Sequence, residues 1–244
     1  MRAPGMSSGV VRHVAGRLRV AGRMGFDVAL LDIDGTLLDS TYHHALAWAR
    51  AFAGAGHPVP VWKVHRHIGM GGDRLIPAVT SDEIAERLGD ELTERHTKAY
   101  DELIDETGLL PGAQELLDGL HAAGLRVVLA SSSQPQHARH ALELLDASDR
   151  ADAWTTSEDA SESKPDPELL EKALERVSGS KALMIGDATW DVYAANEAGI
   201  PSIGLLSGGF GEQELREAGA AAVYDDPAAL LASLDEALRA AERD

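Results

Sequence analysis

The chain contains no cysteine in its 244 residues. Disulfides, zinc–thiolate sites and cysteine nucleophiles are excluded, and a reducing, cytoplasmic setting is expected. It has no run of eighteen apolar residues, so no transmembrane helix is expected. Basic residues are scarce: 22 Lys and Arg stand against 40 Asp and Glu, a net charge of −18. Such a surface repels nucleic acid and anionic membranes, so neither is an expected partner, and an anionic ligand must be drawn in by a local cation. There is no internal repeat and no low-complexity tract. The length suffices for one sizeable domain, or for a core with a smaller domain inserted.

The first 26 residues run against this trend. They carry Arg2, Arg12, Arg17, Arg19 and Arg23, with no acid before Asp27. A transit peptide and an upstream extension, with Met6 or Met24 as an alternative start, are both compatible with that pattern. The expectation is a poorly ordered basic extension, residues 1–26, without a catalytic role.

Val28–Ile33 reads as a continuous apolar strand of the kind buried on both faces of a parallel sheet. Val127–Ala130 and Ala182–Ile185 repeat the pattern, and Ser202–Leu205 and Ala222–Tyr224 are weaker instances. Helical patterns lie between them. PGAQELLDGLHAAG has Pro111 near its start and Gly124 past its end, and DPELLEKALERV and WDVYAANEAG are similar. Strands alternating with helices imply an α/β doubly wound parallel sheet. The stretch 41–107 breaks the alternation. It reads as helices alone, an inserted helical cap around the glycine-rich loop Gly69–Leu75. Residues 27–40 and 108–244 then form the α/β core.

Ligands of open α/β sheets bind beyond the carboxyl ends of the strands. The first strand delivers Asp32 and Asp34, followed by Gly35 and Thr36. The second delivers Ser131, with Ser132 and Ser133 behind it. The third delivers Asp187, and Asp191 follows four residues later. Lys164 precedes Pro165 in SKPDPELL. Four carboxylates at one edge repel one another, and a hard cation resolves this; oxygen ligands suit Mg²⁺, which also binds substrate phosphate. A hydroxyl and a lysine beside it make a phosphate pocket. Taken singly, each residue has an ordinary structural explanation: a turn at DIDGT, a strand-ending serine, a surface lysine, acids at a helix start.

Together, DIDGT, the strand-terminal serine, the lysine before proline and GDATWD resemble the haloacid dehalogenase-like superfamily. The motifs fall in the family's order, and the helical insertion resembles its first type of α-helical cap. The resemblance implies a small phosphorylated metabolite as substrate and Mg²⁺ as cofactor. Asp32 is then the nucleophile that forms an aspartyl-phosphate, and Asp34 the general acid and base. Mg²⁺ is held by the Asp32 carboxylate, the Asp34 backbone carbonyl and Asp187, with Asp191 ordering bound water or ligating directly. Ser131, Ser132, Gly35 and Thr36 belong to the phosphate pocket, and Lys164 neutralises charge at the nucleophile. The dehalogenases of the family replace the second aspartate by tyrosine; Asp34 therefore points to phosphoryl chemistry.

In the cap, His44 matches a histidine that couples substrate binding to the acid/base in β-phosphoglucomutase-like members. A small cap core around Trp48 is the competing reading. Lys63, His65, Arg66, His67 and Arg74 form a locally basic patch, with Arg74 the candidate for a leaving-group contact. Where the mutase-like pattern places a cap-loop arginine, this chain has glycine. A phosphomutase, and a non-catalytic binding protein on the same fold, stand as alternatives to a phosphatase. Monomer and dimer are both open.

Overall fold

The computed structural model describes residues 25–243. The expected basic extension falls, over residues 1–24, outside the described residues. Gly25 and Phe26 belong to the core: the Gly25 N–H donates to the Glu242 carboxylate, and Phe26 is buried against β-sheet and helix side chains.

Six parallel strands form one sheet: β1 (Val28–Leu31), β2 (Arg126–Ala130), β3 (Ala153–Thr155), β4 (Ala182–Gly186), β5 (Ser202–Leu205) and β6 (Ala222–Tyr224), in the spatial order β3-β2-β1-β4-β5-β6. The central strands are apolar throughout because both faces are covered, and the period of two divides them between two cores. Ala29 and Leu31 join Val127, Leu129, Leu183 and Ile185 in one core. Helices α5 (Ala113–Ala122), α11 (Pro227–Ala232) and α12 (Leu234–Ala241) supply Leu116, Leu117, Leu230 and Leu238 to it. Val28 and Leu30 join Val128, Ala130 and Met184 in the other, under α8 (Glu168–Glu175) and α9 (Thr189–Glu197). The remaining core helices are α6 (Pro135–Leu144), α7 (Ala147–Arg150) and α10 (Glu212–Ala218). The chain leaves β1 for β2 on one side and returns to β4 on the other, so the topological switch lies between β1 and β4. Asp32 and Asp187 follow those two strands.

Strand β3 has no counterpart in the sequence reading. It is a three-residue edge strand with Trp154 partly exposed, too short to show a periodicity.

The cap comprises α1 (Thr41–Gly54), α2 (Val61–His65), α3 (Gly72–Val79) and α4 (Asp82–Asp101). Helix α3 corrects the expectation of a glycine loop running to Leu75: the chain is already helical from Gly72, and Leu75, Ile76 and Val79 bury an apolar stripe. Helix α4 starts where the Ser81 hydroxyl accepts the Ile84 N–H at 3.3 Å, with Asp82 and Glu83 in its first turn. Its buried stripe is Leu92, His96 and Tyr100, one residue every four. Helix α1 presents His44, Trp48 and Phe52 at the same spacing. The packing of these two stripes brings histidines of both helices together.

The two strands of chain that join cap to core are tied to each other. Asp39 N–H donates to Gly108 O at 2.8 Å and Leu110 N–H to Leu37 O at 2.9 Å, flanking an antiparallel bridge between Leu38 and Leu109.

Leu92 is fully buried in a cap core that also holds Trp48, Phe52, Leu75 and Ile76. Leu92→Ala is expected to destabilise the protein by about 2–4 kcal/mol, read from urea unfolding. A cost under about 0.5 kcal/mol would mean that the cap does not unfold cooperatively with the core.

Candidate active site

The carboxyl ends of β1, β2 and β4 converge on Lys164, whose side chain is wholly buried. Its ammonium donates to Asp32 Oδ1 and to the carbonyl of Ala130 at 3.3 Å, and lies 2.7 Å from Asp191 Oδ1. Burial by itself would favour the neutral amine; Asp191 and Asp32 outweigh it and hold Lys164 charged, well above the ordinary lysine value. Two negative partners around one buried cation leave the cluster short of positive charge once Asp187 is added.

Asp32, Asp187 and Asp191 are all buried, and each offers an oxygen within 4.8 Å of the others. Burial, then the neighbouring carboxylates, push Asp187 well above the usual carboxylate range. Burial likewise raises Asp32, which Lys164 only partly offsets. Asp191 Oδ1 has the ammonium as its partner, at 2.7 Å. Three buried carboxylates around one ammonium, two of them resisting ionisation, are the electrostatic profile of a cation site. The donor set is all oxygen and fits a hard divalent cation.

Close glycines shape this cradle. A Cβ on Gly208 would come within 1.7 Å of Asp187 Oδ2, and one on Gly35 within 2.4 Å of the same atom. Gly35 also has a φ of +89°, a conformation L side chains rarely adopt. Thr36, expected at the phosphate, instead donates its buried hydroxyl to Asp187 Oδ1 at 2.8 Å. It orients a carboxylate of the cluster.

The Asp34 carboxylate lies apart from this cluster, on the side facing the cap. It accepts from the hydroxyls of Ser40 and Ser133, each at 2.6 Å, and Oδ1 is 3.2 Å from His44 Nε2. Burial raises its proton affinity, but the His44 charge and the three hydrogen bonds reverse this and hold it well below the carboxylate range. His44 Nδ1 is 3.2 Å from His96 Nε2. Burial, and then the neighbouring His44, hold His96 well below the usual histidine range. A neutral His96 accepts from His44 Nδ1–H, which leaves His44 Nε2 facing Asp34 with one shared proton. Tyr100 stacks on His44 at 3.8 Å and Trp48 on His96 at 4.2 Å, fixing both rings. Sequence reasoning found His44 and Trp48. It missed His96, whose signal was the four-residue spacing from Leu92 to Tyr100, and Ser133, passed over in favour of Ser131 and Ser132.

Ser131 Oγ accepts the Ser133 N–H at 3.0 Å, which leaves its own proton free to donate. Ser132 Oγ is buried without a partner. Asp32, Asp34, His44, Ser132 and Ser133 line one cavity of about 290 Å³, roofed by the cap.

The basic cap patch is dispersed by the fold. Arg74 is ion-paired with Glu162 at 2.5 Å, and Arg66 with Glu214 at 2.5 Å while lying 4.3 Å over the Phe210 ring. Lys63 donates to Val79 O at 2.8 Å. His65 Nε2 is 2.8 Å from Gly208 O, and Trp190 Nε1 donates to Arg66 O at 3.2 Å. Several of these contacts tie cap to core.

The raised Asp187 has a stability consequence. Without a cation its contribution is present below the ordinary carboxylate range and is lost as pH rises through the raised value. A cation needs the ionised form, so its effect grows with pH. Saturating Mg²⁺ is expected to raise Tm by about 5 °C near pH 7.5 and by less near pH 5.5. Asp187→Asn is expected to abolish that gain, as read by thermal unfolding with Mg²⁺ or with EDTA.

The profile of the haloacid dehalogenase-like hydrolase family matches residues 26–199, and that of HAD-like hydrolases matches residues 162–237. A phosphoglycolate phosphatase of Vibrio vulnificus is 31% identical over 72% of this chain and 82% of its own length. A validoxylamine A 7'-phosphate phosphatase of Streptomyces hygroscopicus subsp. limoneus is 32% identical over 75% and 86%. Among solved structures, a hydrolase from Pseudomonas syringae is 37% identical, with a TM-score of 0.81 over 86% of this chain and 98% of its own. A β-phosphoglucomutase from Clostridium difficile, 21% identical with a TM-score of 0.76 over 89% and 99%, shares the fold. The matched family, the identity to named phosphatases and the second aspartate of the first motif agree: the chain belongs to the haloacid dehalogenase-like hydrolases and is a phosphatase.

Proposed function

We propose that the protein is a Mg²⁺-dependent phosphomonoester hydrolase that works through an aspartyl-phosphate on Asp32, acting on a small phosphorylated metabolite. The observation that carries this is that Asp32, which lines the same cavity as Asp34, is bound to Lys164 in a buried cluster with Asp187 and Asp191. The named relatives act on different phosphate esters, phosphoglycolate and validoxylamine A 7'-phosphate, so kinship supports the reaction more than any one substrate.

Asp32 Oδ attacks phosphorus and the ester P–O bond breaks. The departing alcohol oxygen takes the proton held between Asp34 and His44. Water then attacks the phosphorus, its proton passes to the same pair, and the Asp32–phosphorus bond breaks to release phosphate. Two carboxylates spaced by one residue thus divide the work: Lys164 keeps the first available as a nucleophile, and the histidine-bound second carries the proton. Ser131 and Ser132 have hydroxyl protons free for the phosphoryl oxygens. Asp32, the Asp34 backbone carbonyl, Asp187 and Asp191 would hold Mg²⁺, which would supply the remaining positive charge for the transferring group. The all-oxygen donors and the glycine-lined space beside Asp187 support that assignment.

Phosphate release from p-nitrophenyl phosphate and a panel of phosphorylated metabolites, with Mg²⁺ and with EDTA, tests the reading. Asp32→Asn is expected to lower kcat by about 10³-fold or more, and EDTA to abolish release. Undiminished activity in Asp32→Asn would refute the assignment of the nucleophile.

His96→Phe keeps a ring in the stack but removes the acceptor for His44. It is expected to lower kcat by about tenfold with little change in KM, because positioning of the proton carrier is lost and substrate contacts remain. His96→Gln, which retains a hydrogen-bonding side chain, is expected to recover part of that loss.

A further inference from the structure

The part of the cavity above Asp32 and Asp34 is where the alcohol portion of a phosphomonoester would lie. Trp48, Ile68 and Met70 give it an apolar wall. Thr93, Gln134 and Asp73 give it polar groups. Gln134 Oε1 accepts from Thr97 at 3.0 Å, so its amide N–H groups remain to donate. Among the described residues, no lysine or arginine lines the cavity.

The cations nearby are committed elsewhere. Arg74 is held by Glu162 at 2.5 Å and lies 3.9 Å from Asp73, and Arg66 pairs with Glu214. Lys164 is enclosed between Asp32 and Asp191. His96 and His137 are lowered by burial and stay neutral near neutral pH. Asp32, Asp34, His44, Asp73 and Glu162 line the cavity, and His44 is already engaged between Asp34 and His96. A carboxylate or second phosphate on the alcohol portion would therefore enter a partly desolvated space with no uncommitted cation to meet it and with Asp73 to repel it. A hydroxyl group meets the opposite situation. Asp73 accepts from it, Gln134 donates to it, and the Trp48 ring covers the C–H face of a ring or chain.

Building on the phosphomonoesterase reading above, we infer that the substrate is the phosphate ester of an uncharged, polyhydroxylated alcohol of the sugar or polyol class. Substrates bearing a carboxylate or a second phosphate are selected against. The identity with phosphoglycolate phosphatases then reflects shared reaction chemistry at the sheet edge, and the cap of this chain reads a different leaving group.

The test is kcat/KM for the full chain with Mg²⁺ on sorbitol 6-phosphate, glucose 6-phosphate and 2-phosphoglycolate, with p-nitrophenyl phosphate as reference. At least one of the two neutral-alcohol esters is expected to exceed 2-phosphoglycolate by about tenfold or more. Turnover of p-nitrophenyl phosphate with 2-phosphoglycolate equal to or better than both would overturn the substrate class and leave the phosphatase reading standing. No turnover of any compound would overturn both. Thr93→Lys places a cation in the wall. It is expected to raise the ratio of 2-phosphoglycolate to p-nitrophenyl phosphate kcat/KM by about tenfold. An unmoved ratio in folded variant protein would contradict the charge argument.

Discussion

Everything at this site depends on one enclosed ammonium. Lys164 is the buried cation among Asp32, Asp187 and Asp191, and three carboxylates could not be gathered at the sheet edge without it. Its single positive charge is shared between Asp32 and Asp191 and cannot balance all three. That residual deficit is what a divalent cation could fill. The parallel sheet contributes by ending β1 and β4 side by side at the switch point, so Asp32 and Asp187 meet without any long loop to order. The glycines at 35 and 208 remove the atoms that would otherwise fill the space beside Asp187.

The second half of the site is assembled by helix periodicity. Two cap helices each bury a stripe with a four-residue repeat, and their contact aligns His44 with His96 under Tyr100 and Trp48. Asp34 therefore belongs to the core while its partner His44 belongs to the cap, and the pair exists only with the cap seated. The seating contacts are polar and mostly at the rim: Arg66 with Glu214, Arg74 with Glu162, His65 on Gly208. Exposed pairs of this kind are individually weak.

Most core motifs were legible in the sequence because they sit at the end of an apolar run, where local pattern and function coincide. Asp32, Asp34, Ser131 and Asp187 follow strands, Asp191 lies in the first turn of the next helix, and Lys164 stands before a proline. The cap was less legible. Its residues derive their roles from which helix faces meet, and a sequence gives each face but not its partner. His96 looked like any histidine in a charged helix until α1 was set against α4. Arg74 looked available until Glu162, eighty-eight positions away, was found to hold it. Strand β3 and the start of α3 were missed for a simpler reason: one is too short for a period, and the other begins at a glycine that reads as a loop.

The paired linkers, Asp39 to Gly108 and Leu37 to Leu110, bear on how such a protein diversifies. Because the two crossing points are hydrogen-bonded neighbours, the core presents the same closed junction whatever lies between them. The entropy of closing the insertion grows only slowly with its length. A different cap, longer or shorter, could be grafted at this junction without displacing a strand or a carboxylate. The arrangement separates the part of the chain that performs the reaction from the part that chooses the reactant, so the two are free to change at different rates.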